Sequence, residues 1–65
     1  MTPKQARFVA EYVIDLNATQ AAIRAGYSVR SAGSMGFENL KKPEIAAAIS
    51  GRQAAQLGAA NLMAP

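Results

Sequence analysis

Several basic and hydroxyl side chains in this 65-residue chain have the chemistry to bind a nucleic acid. Arg30 is the only charged candidate for reading a base, because a guanidinium can form two parallel hydrogen bonds with guanine. The hydroxyls of Ser31 and Ser34 can bond either bases or phosphates. The candidate contacts with DNA are Gln20, Arg24, Ser28, Arg30, Ser31, Ser34, Lys41 and Lys42.

For some of these residues a purely structural explanation is equally open. Arg24 lies one turn after Gln20 on the polar side of the second predicted helix, where it could reach a phosphate, although an exposed arginine is ordinarily just solvated. Lys41 and Lys42 end the third predicted helix, where cations interact favourably with the helix dipole. Each lysine is therefore either a phosphate contact or a helix-terminal charge.

The acidic residues offer little chemistry of their own. Glu11 and Asp15 are four residues apart, a spacing that could bind a cation but more often gives a solvated, mildly repulsive face. The chain has no cysteine and no histidine, and it has no glycine-rich phosphate loop followed by Lys-Ser or Lys-Thr. We therefore expect no catalysis, no metal site and no cofactor.

Length and composition indicate one small domain. The net charge is +3 and the sequence pI is about 9.8, which is weak evidence for a polyanionic partner because the basic residues do not form a run. The longest apolar stretch, Ile45 to Ile49, is far shorter than the roughly 20 residues of a membrane span, and the start is not of signal-peptide type. A cytoplasmic protein with no membrane association is expected.

Two predicted helices occupy the first part of the chain. Thr2, Pro3 and Gln5 are typical of an N-cap, a first-turn proline and a capping-box partner, so the first helix should begin at Pro3. Its apolar face is predicted to consist of Phe8, Val9, Tyr12, Val13 and Leu16. Asn17 and Gln20 predict a second capping box, and Gly26 predicts the end of a short second helix.

Two more helices are predicted after Gly26. Ser28 is the expected N-cap of a helix from Val29 to about residue 40, and Lys42 with Pro43 marks its end and the start of a fourth helix. Residues 51–65 either extend the fourth helix or form an alanine-rich linker. The predicted fold is an all-α bundle of about four helices.

The segment NATQAAIRAGYSVRSAG, residues 17–33, fits the joint of a helix-turn-helix. Ala22, four residues before Gly26, supplies a small residue where the two helices cross. The apolar positions on both sides of the joint are Ala21, Ala25, Tyr27, Ala32 and Met35. The alternative is the corner of a plain helical bundle, which also needs small residues and a glycine.

The third helix contains three residues with open roles. Phe37 could join Leu40 in the core or remain exposed as an interaction surface. Gly33 and Gly36 each weaken the helix by about 1 kcal/mol relative to alanine. We therefore expect this helix to be the least stable and to tighten on binding, unless one glycine permits close packing against the first or fourth helix.

Three segments follow one another within residues 2–50, namely the opening TPKQ, the block NATQAAIRAGYS and the exit with Leu-Lys-x-Pro-Glu-Ile. Together they resemble the N-terminal domain of bacteriophage and prophage terminase small subunits. The resemblance implies a non-catalytic subunit of the DNA-packaging machinery in the cytoplasm of the bacterial host. Its partners would be double-stranded viral DNA and a large subunit that carries the ATPase and nuclease.

The resemblance also implies a division of the chain. Residues 1–50 would be the helix-turn-helix DNA-binding domain, and residues 51–65 would lead toward an oligomerisation region that forms a homo-oligomeric ring in the full-length protein. The present chain would then be a fragment, expected to be monomeric. Similar sequences have more basic and polar residues at the positions of Gly33, Ser34 and Glu38, so the third helix is less charged than the resemblance implies. A protein-interaction module and a helix-turn-helix transcriptional regulator remain alternatives.

Overall fold

Four consecutive α-helices make up the fold. The computed structural model describes the backbone of residues 1–63 and the side chains of residues 1–55. The helices are α1 (Pro3–Asp15), α2 (Ala18–Ala25), α3 (Val29–Lys41) and α4 (Pro43–Met63), and the described part of the chain has no strand. The predicted all-α bundle of four helices is therefore confirmed. None of the helices within residues 1–63 is both long and apolar enough to cross a membrane.

The start of α1 has both hydrogen bonds of the predicted capping box. Thr2 Oγ1 accepts from the backbone N–H of Gln5 at 3.1 Å, and the backbone N–H of Thr2 donates to Gln5 Oε1 at 2.9 Å. These two bonds satisfy donors that a helix N-terminus otherwise leaves free. Helix α1 therefore begins at Pro3, as predicted.

At the start of α2 only half of the predicted capping box is present. Asn17 Oδ1 accepts from the backbone N–H of Gln20 at 3.1 Å. The backbone N–H of Asn17 donates instead to Asp15 Oδ1 at 3.2 Å. Asp15, two residues before the cap, thus accepts the hydrogen bond predicted for the Gln20 side chain.

The core consists of apolar side chains from all four helices. Phe8 is fully buried and stacks on Tyr12 with ring centroids 5.8 Å apart. The buried apolar residues are Phe8, Val9, Ala21, Ala22, Ala32, Ile45 and Ile49. Burial of Ile45 and Ile49 gives α4 the predicted inward face.

The prediction that Leu16 belongs to the apolar face of α1 is wrong. Leu16 is 57% exposed and has a left-handed backbone with φ 58°. It follows the last residue of α1 and donates its N–H to the carbonyl of Tyr12 at 2.7 Å. Because the backbone leaves the helix at this residue, the helical periodicity no longer sets the direction of its side chain.

Helices α2 and α3 approach each other closely at Gly36. A Cβ placed on Gly36 would lie 2.6 Å from the carbonyl oxygen of Ala18 and 2.9 Å from its carbonyl carbon. Gly36 is buried, so the glycine does permit close packing. Its partner is α2, not α1 or α4 as predicted.

Helix α4 continues through residue 63, so residues 51–63 extend this helix and do not form an irregular linker. Its first part packs on α1 and α3 through Ile45 and Ile49. The last two residues of the predicted tail segment, 64 and 65, lie outside the described residues. That this helix leads to an oligomerisation region stays a prediction.

Candidate nucleic-acid interface

The joint between α2 and α3 is short and hydrogen-bonded. Gly26 has φ 106°, a left-handed conformation that a residue with a side chain adopts only with strain, and it ends α2 as predicted. The backbone N–H of Tyr27 donates to the carbonyl of Ala22 at 3.0 Å, which closes the turn. Ser28 then caps α3 by accepting from the N–H of Ser31 at 3.3 Å. The turn thus takes the chain from α2 into α3 in three residues.

Tyr27 connects this turn to two other parts of the molecule. Lys4 Nζ lies 5.1 Å from the centre of the Tyr27 ring, within the range of a cation–π interaction. The Tyr27 hydroxyl accepts a hydrogen bond from Asn39 Nδ2 at 3.1 Å. Tyr27 is half-buried and packs against the core, in agreement with its predicted role as an anchor. The contacts join the turn to the start of α1 and the end of α3.

Asn39 is a buried polar residue that the sequence reasoning missed. Its side chain is fully buried, and Oδ1 has no hydrogen-bond partner. Its burial could have been predicted from the helical period. Asn39 lies seven residues after Ala32 and three after Gly36, both of which are buried on the same side of α3.

The opposite side of α3 forms an exposed face along the helix. With 3.6 residues per turn, positions four, seven and eleven residues after Arg30 return to nearly the same direction. We define the α3 face as Arg30, Ser34, Phe37 and Lys41, all of which are exposed. Phe37 is 61% exposed and therefore does not join Leu40, which packs against the core. Lys41 Nζ lies 4.5 Å from the centre of the Phe37 ring.

The serines at the start of α3 already bond to each other. The hydroxyls of Ser28 and Ser31 are 2.8 Å apart, and Ser31 is half-buried. Ser28 is exposed, as is Gln20 in the first turn of α2. Lys42 is half-buried at the end of α3, where its N–H donates to the carbonyl of Asn39 at 3.1 Å.

Arg24 is engaged with α1. Its Nε donates to Glu11 Oε1 at 2.7 Å, and its Nη2 donates to Asp15 Oδ1 at 3.2 Å and to the carbonyl of Glu11 at 3.1 Å. Arg7 Nε also donates to Glu11 Oε2 at 2.9 Å. Hence Arg24 clamps α2 onto α1 and is not part of the α3 face.

These ion pairs overturn the interpretation of Glu11 and Asp15 as a repulsive solvated pair. The hydrogen bond from Arg24, followed by that from Arg7, lowers the pKa of Glu11. The hydrogen bond from Arg24, followed by the backbone N–H of Asn17, lowers the pKa of Asp15. The same two carboxylates raise the pKa of Arg24. One cation between the carboxylates turns a repulsive spacing into a joint between two helices.

Other chemistry has little support in the described residues. Residues 1–63 hold no group of three or more histidine, cysteine or acidic side chains that could bind a metal ion. A groove of about 350 Å³ is lined by α1, α3 and α4, among them Tyr12, Leu40 and Ile49. Its lining contains no carboxylate, lysine or arginine, so it offers no acid–base pair.

The fold and the α3 face define a small all-α domain that presents one exposed, basic helix after a three-residue turn. Residues 1–64 match the family described as terminase small subunit. Given this match, the chain belongs to the terminase small subunit family.

Similar proteins come from phages of Bacillus. The terminase small subunit of Bacillus phage SF6 is 58% identical over 53 residues, which cover 80% of this chain and 37% of that protein. The terminase small subunit of Bacillus phage SPP1 is 54% identical over 54 residues, which cover 82% of this chain and 37% of that protein. The chain thus spans little more than a third of the length of these relatives.

Proposed function

We propose that this chain is the DNA-binding part of a phage terminase small subunit, with α2 and α3 acting as a helix-turn-helix. In this arrangement α3 enters the major groove and its first residues approach the base edges. The observation that carries the proposal is the α3 face, where two cations and a hydroxyl are exposed along a helix whose other side is buried. The family gives the biological setting, which is the packaging of phage DNA.

The predicted contacts other than Arg24 keep a place in this proposal. Arg30, in the first turn of α3, would bond a base, and Ser34 would bond a base or a phosphate. Ser28 and Gln20 lie at the exposed starts of α3 and α2, where backbone N–H groups favour phosphates. Lys41 and Lys42 would contact phosphates at the other end of α3. Ser31 would contribute by holding Ser28.

Arg24 has a different role in the proposal. Its Nε and Nη2 are both bonded to α1, so direct binding of a phosphate would require it to give up an ion pair. We propose that Arg24 supports DNA binding by fixing α2 on α1, which replaces the predicted phosphate contact.

The rest of the proposal concerns the longer protein. The domain would be non-catalytic and would deliver viral DNA to a large subunit that supplies ATPase and nuclease activity. A ring of copies would raise the apparent affinity, because each further contact with the same DNA is intramolecular. A single domain would then bind DNA only modestly.

The test is a titration of fluorescent duplex DNA with the domain at low and high salt, read by anisotropy. A plot of the logarithm of the binding constant against the logarithm of the salt concentration should have a slope of about −0.9 for each neutralised phosphate. Arg30→Ala should weaken binding about tenfold, since a good arginine–guanine pair is worth about 1–3 kcal/mol. Arg52→Ala is the matched control, because it removes the same charge from an exposed position on α4.

The competing function is a protein-interaction module, favoured by the 61% exposure of Phe37. In that case Phe37→Ala would disturb binding of a packaging subunit, while Arg30→Ala would have a smaller effect. If Arg30→Ala and Phe37→Ala bind DNA as tightly as wild type, or if wild type binds no DNA at low salt, DNA recognition by the α3 face of this domain is refuted.

A further inference from the structure

Phe37 is a large apolar side chain in the middle of an otherwise polar and basic face. It is 61% exposed, and it lies between Arg30 and Lys41 on the α3 face. The only acidic residue of α3 is Glu38, which is rotated by about 80° from Arg30 around the helix. The two charged residues of the α3 face, Arg30 and Lys41, are thus both cations, and the occupant of this face should be a polyanion that also offers an apolar group.

The spacing on α3 allows Phe37 to reach the same groove as Arg30. Relative to Arg30, positions i+3, i+4 and i+7 are Gly33, Ser34 and Phe37. The helix that reads bases in a homeodomain uses the same i, i+3, i+4 and i+7 pattern. Phe37 is roughly 10 Å further along the helix axis than Arg30, which corresponds to about three base pairs.

The two residues between them project very little. Gly33 is exposed and has no side chain, and Ser34 is exposed and small. A helix with this profile can bring its backbone close to the floor of the groove, and between residues 30 and 37 of the α3 face Arg30 and Phe37 are the side chains that reach furthest. Lys41, 4.5 Å from the ring centre, covers one side of Phe37 and leaves the rest of the ring accessible.

We propose that Phe37 recognises the C5-methyl group of thymine within about three base pairs of the base contacted by Arg30. A phenyl ring cannot donate or accept a conventional hydrogen bond, and the thymine methyl is the one apolar group that the four bases present in the major groove. The proposal rests on the proposed DNA binding and adds a residue that determines which sequences are bound.

The experiment compares thymine with uracil, which lacks only this methyl group. A random duplex pool is enriched for binding to the wild-type domain and then amplified with either thymidine or deoxyuridine nucleotides. Wild type should bind the thymine pool about fourfold more tightly for each methyl group that it buries. Phe37→Ala should bind the two pools equally, with an affinity close to that of wild type for the uracil pool.

Ile14→Ala is the matched control, since Ile14 is an apolar residue with 72% exposure that lies on α1 and not on the α3 face. It should keep the wild-type ratio between the pools. Phe37→Leu keeps an apolar contact and should give an intermediate ratio. If circular dichroism shows that Phe37→Ala is unfolded, Phe37→Leu decides the outcome.

The failures of the two proposals are distinguishable. If wild type binds both pools equally while Arg30→Ala still weakens binding, the assignment of Phe37 is overturned and DNA binding stands. If Phe37→Ala weakens binding to both pools by the same factor, the ring does not recognise the methyl group. If neither pool is bound at low salt, DNA binding itself fails, and a protein partner is the better explanation of Phe37.

Discussion

Adding one methyl group at Gly36 should separate α2 from α3. The new Cβ of Gly36→Ala would lie 2.6 Å from the carbonyl oxygen of Ala18 and 3.3 Å from its Cβ. An ordinary contact begins near 3.4 Å, so the two helices would have to move apart by about 0.8 Å. Because two of the three nearest atoms belong to the backbone of α2, they cannot rotate away as a flexible side chain could.

The size of the effect follows from two opposing contributions. Alanine stabilises a helix interior by about 1 kcal/mol relative to glycine. Overpacking that forces a backbone shift usually costs about 1–3 kcal/mol, and a clash with backbone belongs at the upper end. The expected net destabilisation is about 2 kcal/mol, a large part of the roughly 3–5 kcal/mol available to a domain of this size.

Gly33→Ala provides the matched comparison three residues away. A Cβ on Gly33 would meet only Thr19 Oγ1, at 3.7 Å, which is ordinary contact. Here the gain in helix propensity should remain, and stability should rise by about 0.5–1 kcal/mol.

Thermal unfolding followed by circular dichroism measures both variants. We expect the Tm of Gly36→Ala to fall by roughly 8–16 °C and that of Gly33→Ala to rise by roughly 2–8 °C. The same chemical change should thus have opposite signs at two positions of one helix. A Gly36→Ala protein as stable as wild type would refute the close approach of α2 and α3.

Three further perturbations test the contacts that join the helices. Arg24→Met removes the cation that Glu11 and Asp15 share. The Tm of this variant should be lower than that of wild type at low salt and close to it at high salt, where exposed charges are screened. If the two proteins have the same Tm at low salt, the ion pairs of Arg24 do not stabilise the contact between α1 and α2. The pKa of both carboxyls is lowered from ordinary values of 4.5 and 3.8, so the unfolded chain binds more protons in acid. The contribution of the two carboxylates to the free energy of unfolding should be fully present above about pH 4.5 and be lost as the pH falls through their lowered pKa values. Urea unfolding at several pH values should show this loss, and it should be less steep in Arg24→Met. Tyr27→Phe leaves the buried Asn39 Nδ2 without its acceptor and should cost about 1–3 kcal/mol; in an Asn39→Leu background the same change should be nearly neutral, and strict additivity in the double-mutant cycle would rule out the coupling.

The helix boundaries could be predicted because local residues determine them. Thr2, Ser28 and Pro43 act within one turn of their own position, and Gly26 acts through its own backbone. Leu16 shows where this reasoning stops. Its spacing continues the apolar pattern of α1, but the helix ends one residue earlier, at Asp15. The spacing of apolar residues alone does not show where a helix ends.

The contacts between helices could not be predicted in the same way. Arg24 bonds to Glu11 across 13 residues, and nothing in the spacing of the two residues distinguishes this pair from two solvated charges. Gly36 could be recognised as a packing glycine, but the choice of α2 as its partner depends on how the helices cross. The residues of the α3 face could be predicted because they follow the helical period. The exposure of Phe37 could not, because it depends on which residues fill the core.

The two sides of α3 differ in their contacts, because one side is buried against the other helices and the other side is exposed. The inner side packs through Gly36 against Ala18 and through the hydrogen bond from Asn39 to Tyr27, so the position of α3 depends on contacts that lie away from the α3 face. The outer side contributes almost nothing to the core. Substitutions at Arg30 and Phe37 should therefore leave folding unchanged, so that an effect on binding can be measured separately. Helix α3 carries two glycines that weaken it as an isolated helix, and the close contact at Gly36 replaces part of that lost stability with tertiary packing.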